Sequence, residues 1–255
     1  MISMKIYRII KWFHFQFRFI KGILCSLFIP NKIKRLEFCK ELTFSNTDKV
    51  LILVPHFDDE ILACSGLIYY CLKSGIDLNI LYISDGARGG VKNCKSDFLY
   101  SKKRSQESIL ALNDLKSNNN WLSINYLDIP DQQISNRIRD VLDAVSKIEF
   151  NAIFVPYSND PHPDHKSLFQ ISDSILNHKH VERYEYYVHS NQIDYSNVTH
   201  FSVAPFGKVT RALYRFKTQI YIDFDNELIN RRKGNKYYTF YKSTVMQNGV
   251  KGSCN

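Results

Sequence analysis

His56 and Asp59 stand three residues apart in the stretch Val50-Leu51-Ile52-Leu53-Val54-Pro55-His56-Phe57-Asp58-Asp59-Glu60. An imidazole nitrogen and a carboxylate oxygen are ordinary ligands for zinc or iron. Across a tight turn, side chains at this spacing converge on one point. Asp58, between them, must point elsewhere, toward whatever a metal ion would hold. A second polar cluster, Asn159-Asp160-Pro161-His162-Pro163-Asp164-His165, offers a third ligand in His165 or His162. One such cluster alone is a weak signal, because histidine and aspartate are also common turn and helix-cap residues. Two of them, each following a run of apolar residues, are harder to assign to capping alone.

Those apolar runs are what must position the clusters. Val50 to Val54 and Ala152 to Val155 are short, continuous and rich in branched residues, each ended by a proline, the pattern of strands buried on both faces. Ile61 to Leu72 then shows helical spacing (Leu62, Leu67, Ile68, Cys71, Leu72). Strand, sharp turn and helix put each polar cluster at the carboxyl end of a strand, where open α/β sheets bind ligands. The wider pattern predicts strands near 50–55, 78–84, 123–128 and 152–156, and helices near 60–73, 101–116, 134–148 and 164–177. This alternation implies an α/β fold, a Rossmann-like three-layer α/β/α sandwich with a mostly parallel sheet. Two aromatic runs, Tyr184 to Val188 and Leu213 to Phe224, are expected to add further strands. No G-x-G-x-x-G follows the first strand, so the architecture carries no implication of a dinucleotide.

Pro55-His56-Phe57-Asp58-Asp59-Glu60 with Ser65-Gly66, and His162-Pro163-Asp164-His165, resemble the two motifs of the LmbE-like, PIG-L-type N-acetylglucosaminyl deacetylases. The family's first motif is P-H-P-D-D-E, followed by a glycine pair; its second is H-P-D-H. The second is intact here. In the first, Phe57 stands where proline is usual and Ser65 where one glycine is usual. Neither change removes a ligand, but Phe57 is expected to loosen the backbone and alter the pocket wall. The similarity runs from about Lys49 to Phe224. Ser84 to Gly90 takes the place of a substrate-facing loop, Arg104-Ser105-Gln106-Glu107 that of an R-x-x-E helix, and Asp128-Ile129-Pro130-Asp131 that of an acidic loop. Beyond Phe224, Lys233 and Tyr241-Lys242-Ser243 only loosely echo the family's closing helix.

The resemblance implies metal ligands His56, Asp59 and His165, a general base Asp58, and His162 as the group that steadies an oxyanion or protonates a leaving amine. The ion it implies is zinc, with iron as the alternative. Such an ion lowers the pKa of a bound water to roughly 7, and the expected products are acetate and a free amino sugar. Asp164 and Glu60 are candidates to hold the outer nitrogen of a ligating histidine, and Glu60 could instead cap the first helix. Arg88, Arg104 and Asp131 are candidates to contact sugar hydroxyls or a phosphate, set against ordinary roles as ion pairs or surface residues.

At 255 residues, the chain suffices for one large α/β domain. Its six cysteines (25, 39, 64, 71, 94, 254) are scattered without a C-x-x-C pair, which argues for a reducing, cytoplasmic compartment. Cys64 and Cys71, seven apart in the first helix, are expected in the core. The net charge of +9 is uneven: residues 1–36 hold eight basic side chains and no acidic one, and the remainder has 26 basic against 25 acidic. We divide the chain accordingly into a basic, aromatic N-terminal segment, 1–48, whose residues 37–48 read as a connector, and a deacetylase-like domain, 49–255. The longest uncharged stretch of that segment, Gly22 to Asn31, falls well short of the ~20 residues a spanning helix needs. Its basic and aromatic residues fit peripheral contact with an anionic membrane face or a packing arm. Nucleic-acid binding ranks behind both, because the neutral remainder offers no second basic patch.

The partner implied is an amino-sugar conjugate, lipid-linked if the N-terminal segment meets a membrane. Two other classes stay open on the residues alone. A metal-dependent phosphoesterase could use the same set but commonly needs two metals. A non-catalytic sugar-binding or membrane-associated protein would be indifferent to the loss of Asp58.

Overall fold

A computed structural model describes residues 38–88, 97–116, 122–177, 181–219 and 222–244; the basic N-terminal stretch, Gly89-Gly90 and the C-terminal end lie outside the described residues. Strand β1 (Lys40–Glu41) is followed by β2 (Lys49–Val54), α1 (Asp59–Ser74), β3 (Asp77–Ser84), α2 (Asp97–Leu115) and β4 (Leu122–Ile129). Then come α3 (Ile138–Ser146), β5 (Ala152–Pro156), α4 (Pro163–Leu176), β6 (Glu182–Tyr186), β7 (His200–Pro205) and α5 (Phe206–Leu213). The last elements are α6 (Phe224–Asn230), β8 (Arg232–Lys233) and β9 (Lys236–Thr244).

The strands form one sheet in the order β1-β7-β9-β6-β5-β2-β3-β4, with β8 paired to β9. The block β6-β5-β2-β3-β4 is parallel throughout. Strand β2 lies at its middle, hydrogen-bonded to β3 on one side and β5 on the other. Its alternate residues therefore face two different cores. Val50, Ile52 and Val54 join α1 residues such as Ile61, Leu67 and Ile68, whereas Leu51 and Leu53 join Val141 and Val145 of α3 and Leu168 and Ile171 of α4. That is the three-layer α/β/α arrangement expected from the alternating pattern. The chain leaves β2 toward β3 and β4, then returns to β5 on the opposite side. The β2/β5 crevice is thus the topological switch point of the sheet.

Helix α1 ends at Gly75, whose φ of 72° lies in the left-handed region open to glycine and whose N–H bonds Cys71 O. Cys64 and Cys71 are fully buried, as expected from their spacing. Gly66 permits a close approach of α1 to the sheet: a Cβ there would meet Ser202 Oγ at 2.6 Å and Thr239 Oγ1 at 2.7 Å. The Tyr237 hydroxyl of β9 donates to Leu62 O of α1 at 3.1 Å.

The C-terminal third departs from the sequence expectation. Among the described residues of Leu213 to Phe224 there is no strand: α5 ends at Leu213 and α6 starts at Phe224. Asp223 accepts from Asn226 N at 3.1 Å, and that cap starts a helix where aromatic content alone indicates extended chain. Phe216 and Phe224 are buried core residues. The stretch that loosely echoes a closing helix is instead β9, rich in Tyr, Thr and Phe and running antiparallel to both β6 and β7. Residues read as a connector also enter the fold, for Lys40–Glu41 pairs with β7 and Leu42 is 2% exposed.

Candidate metal centre and cleft

Parallel pairing of β2 with β5 brings the turns after Val54 and Pro156 side by side. Three atoms of types that can ligate a metal meet there. His56 Nδ1 lies 3.4 Å from Asp59 Oδ2, His165 Nε2 lies 3.3 Å from Asp59 Oδ2, and the two ring nitrogens lie 3.3 Å apart. Tetrahedral ligands held 2.0–2.1 Å from a zinc ion would be separated by about 3.3–3.4 Å. The three edges match that separation, and Asp59 Oδ2 also accepts from His56 N at 3.1 Å.

The outer nitrogens of both histidines are held by carboxylates. His56 Nε2 is 3.1 Å from Asp164 Oδ2 and 3.5 Å from Asp131 Oδ1; His165 Nδ1 is 3.0 Å from Asp160 Oδ2. Such partners fix ring orientation and raise ligand basicity. Burial disfavours charge on His165, but Asp59 and Asp160 outweigh it and raise its pKa to about 9. Burial likewise opposes charge on Asp59, yet His165 and His56 hold it well below the carboxylate range. The two imidazoles thus hold protons against an ionised Asp59, and a cation bound by these three groups would displace those protons.

Asp58 occupies the N-cap position of α1 without capping it, at φ 116°. Left-handed backbone at a residue with a side chain costs on the order of 1–3 kcal/mol and persists only where the surroundings enforce it. Here Asp58 N donates to Glu60 Oε2 at 2.9 Å, and Arg104 Nη2 donates to Phe57 O at 2.6 Å. Arg104 Nη1 donates to Gly86 O at 2.7 Å, and Gly86 (φ 59°) has no room for a Cβ, which would lie 2.7 Å from Arg104 Nη1. With its amide oxygen toward Arg104, Gln219 accepts from Nε at 2.7 Å and Nη2 at 3.0 Å. So held, Asp58 keeps Oδ1 3.6 Å from Arg104, and Oδ2 is buried with no hydrogen-bond partner among the described residues. Burial pushes its pKa up to about 8 despite Arg104. Asp58 thus lines the same cleft as the triangle and keeps one carboxyl oxygen without a hydrogen-bond partner among the described residues.

His162 is the N-cap of α4, with its Nδ1 accepting from Asp164 N at 3.3 Å. Burial, then His56 and His165, lower its pKa. A neutral ring with Nδ1 as acceptor carries its proton on Nε2, which makes Nε2–H the available donor.

These residues line one cleft of about 500 Å³ that also includes Arg88, Asp131, Gln132, His189, Gln192 and Gln219. Of the residues singled out in the sequence, His56, Asp58, Asp59, Asp131, His162 and His165 lie together there. Asp164 sits behind His56. Glu60 touches neither ligating ring: besides Asp58 N it accepts from Ser108 Oγ at 2.8 Å. Arg104 lines the cleft but spends its donors on Phe57, Gly86 and Gln219. Arg88 is exposed, its N–H on Asp131 at 3.1 Å and its Nη1 on Gln132 at 3.1 Å. Phe57 turns inward against Tyr82, ring centroids 4.9 Å apart, and is not part of the cleft wall.

Asp160 escaped the sequence reading although it belongs to the second cluster; an aspartate five residues before a candidate ligand was the available signal. His189, Gln192 and Gln219 lie in no motif.

Residues 51–176 match the family model described as PIG-L: GlcNAc-PI de-N-acetylase. No curated protein matches the chain. Among solved structures, N,N′-diacetylchitobiose deacetylase from Pyrococcus horikoshii is similar, with a TM-score of 0.63 at 17% identity, over 83% of this chain and 89% of that one. The zinc-inhibited form of a teicoplanin deacetylase aligns with a TM-score of 0.58 at 11% identity, over 79% and 100%. A 4-carboxy-2-hydroxymuconate hydratase from Pseudomonas putida aligns with a TM-score of 0.55 at 17% identity, over 77% and 96%. At these identities the shared property is the fold.

Proposed function

Since the chain belongs, through residues 51–176, to the PIG-L family, we propose that it is a metal-dependent N-deacetylase. Its reaction is hydrolysis of the acetamide of an N-acetylglucosamine-type conjugate, releasing acetate. The observation that carries this is the triangle of His56 Nδ1, Asp59 Oδ2 and His165 Nε2, with edges of 3.3–3.4 Å, in one cleft with Asp58, whose Oδ2 has no hydrogen-bond partner among the described residues.

The three triangle residues would hold zinc or iron, and such an ion supplies a Lewis acid and lowers the pKa of water to roughly 7. Asp58 takes the proton of the attacking water as the water oxygen adds to the acetamide carbon. His162 donates from Nε2 to the oxyanion that forms, an electrostatic contribution of about 3–4 kcal/mol in comparable sites. When the C–N bond breaks, the proton held by Asp58 passes to the departing amine. Arg104 and Glu60 keep Asp58 in its strained backbone geometry throughout, and Asp164 and Asp160 keep the two rings turned toward the shared point.

The family description and the disaccharide named for the Pyrococcus horikoshii structure both support an amino-sugar substrate. A lipid-linked conjugate suits the basic, aromatic residues 1–36, which would give peripheral contact on a cytoplasmic membrane face. No helix among the described residues is long and apolar enough to cross a membrane.

The test is acetate release from free, nucleotide-linked and lipid-linked N-acetylglucosamine, with metal analysis of the same preparation. Release that disappears in Asp58→Ala while metal content is kept supports the assignment. Wild-type acetate release by Asp58→Ala would rule out Asp58 as the base, and two metal equivalents per chain would favour phosphoester chemistry.

A further inference from the structure

The cleft spans more of the sheet than the reaction needs. The triangle and Asp58 belong to the ends of β2 and β5. The wall continues past them to His189 and Gln192, in the turn that follows β6, the next strand over. Neighbouring strands are about 4.8 Å apart, so this turn stands beside the chemistry.

That turn is gripped from behind by a buried ion pair. Arg231 is fully buried and Glu227 is 5% exposed. Arg231 Nη2 donates to Tyr187 O at 2.7 Å and to Val188 O at 3.1 Å, and its Nε is 3.4 Å from Glu227 Oε2. Glu227 Oε2 accepts from Ser190 N at 2.8 Å, and Oε1 lies 3.6 Å from His189 Nδ1. Gln192 Oε1 accepts from His189 N at 3.3 Å, closing the turn on itself. Burying an ion pair is costly, and a pair of this kind is not a cheap way to stabilise a surface turn. What the arrangement achieves is a fixed backbone from Tyr187 to Gln192. His189 then has its Nδ1 edge on Glu227 and its side chain 41% exposed and lining the cleft, with no partner on its other edge among the described residues.

We propose that His189 and Gln192 form a specificity subsite that binds the second unit of the substrate, a neutral polyhydroxyl group such as a further sugar. This rests on the amino-sugar deacetylase reading and extends it. With Nδ1 turned to Glu227 and Oε1 taken by the His189 N–H, the imidazole Nε2 and the amide –NH2 remain to meet hydroxyl groups. A preorganised turn binds without an ordering cost. The subsite explains why a buried arginine and glutamate sit far from the metal ligands in sequence yet directly behind the cleft wall.

The experiment compares free N-acetylglucosamine with a two-residue N-acetylglucosamine oligomer, by equilibrium binding and by kcat and KM for acetate release. In the wild type the oligomer is expected to bind more tightly. A net hydrogen bond is worth about 0.5–1.5 kcal/mol, so His189→Ala and Gln192→Ala should each reduce the oligomer-to-monomer preference by roughly two- to twelvefold. The loss should appear in KM for the oligomer more than in kcat, at unchanged metal content, and His189→Gln should restore part of it. Equal weakening of both sugars, or weakening of neither, overturns the subsite while leaving the deacetylase reading intact. A wild-type protein that neither binds these sugars nor releases acetate from any conjugate overturns both.

Discussion

His56 Nδ1 and His165 Nε2 stand 3.3 Å apart although 109 residues separate them in the chain. Neither ring is free to drift from this geometry, because Asp164 lies on the outer nitrogen of one and Asp160 on that of the other. Loss of the His165 imidazole in His165→Ala should leave the purified protein with little bound metal. Removing the support by Asp160→Ala should weaken metal affinity by about 10–100-fold while leaving the stoichiometry intact at saturation. Metal titration against a competing chelator checks both. Unchanged affinity in His165→Ala would remove the triangle from consideration.

Asp58 combines backbone strain with a role that needs its carboxylate. Asp58→Gly relaxes the backbone at φ 116° and removes a buried group whose charge burial opposes. It should raise stability by about 1 kcal/mol or more, seen as a higher midpoint in urea, and should lower kcat by at least ~10²-fold. An activity loss accompanied by destabilisation would contradict the account of strain.

His162 is expected to act through one donor. His162→Ala should lower kcat by roughly 10²–10³-fold with metal content retained. The loss of the α4 cap should cost about 1 kcal/mol of stability, which His162→Asn recovers in part without restoring full activity.

Arg104→Lys keeps the charge but not the fork that reaches Phe57 O and Gly86 O together. We expect a destabilisation of about 2–4 kcal/mol, since polar groups fitted to a buried guanidinium lose partners. Activity should fall further than stability at permissive temperature, because the enforced conformation of Asp58 is lost. Equal activity per folded molecule would show that Glu60 alone suffices.

The pH dependence of stability has a marker outside the cleft lining. Burial opposes ionisation of Glu185, but Ser158, Thr244 and Lys242 outweigh it and lower its pKa. Its folded value is below the unfolded one of about 4.3. The stabilisation is therefore complete above that value and is lost as pH falls through the folded pKa. Urea unfolding should show Glu185→Gln less stable than wild type at pH 7, with the gap closing below about pH 4. A gap that widens on acidification would reverse the sign.

The parallel half of this protein was legible because its signals are local. Strands β2 and β5 are continuous apolar runs, and the polar clusters begin where those runs stop. The antiparallel end was harder to read. Strand β9 carries the tyrosines and threonines of a strand but no apolar run, and Leu213 to Phe224 has aromatic content that serves core packing around a helix cap. His189, Gln192 and Gln219 reach the cleft only through tertiary packing, so nothing in their sequence neighbourhoods marked them. Arg104 illustrates a subtler limit. Its type suits a sugar or phosphate contact, whereas its burial and its three acceptors make it the clamp on Phe57 and Gly86.

Helix α1, whose first residue is Asp59, rests on strands β7 and β9 through the bare backbone of Gly66 and the Tyr237 hydroxyl on Leu62 O. The pitch of that helix sets where the Asp59 carboxylate lands. Bulking Gly66 to valine should thus detune ion capture from a distance, though the change touches none of His56, Asp59 and His165.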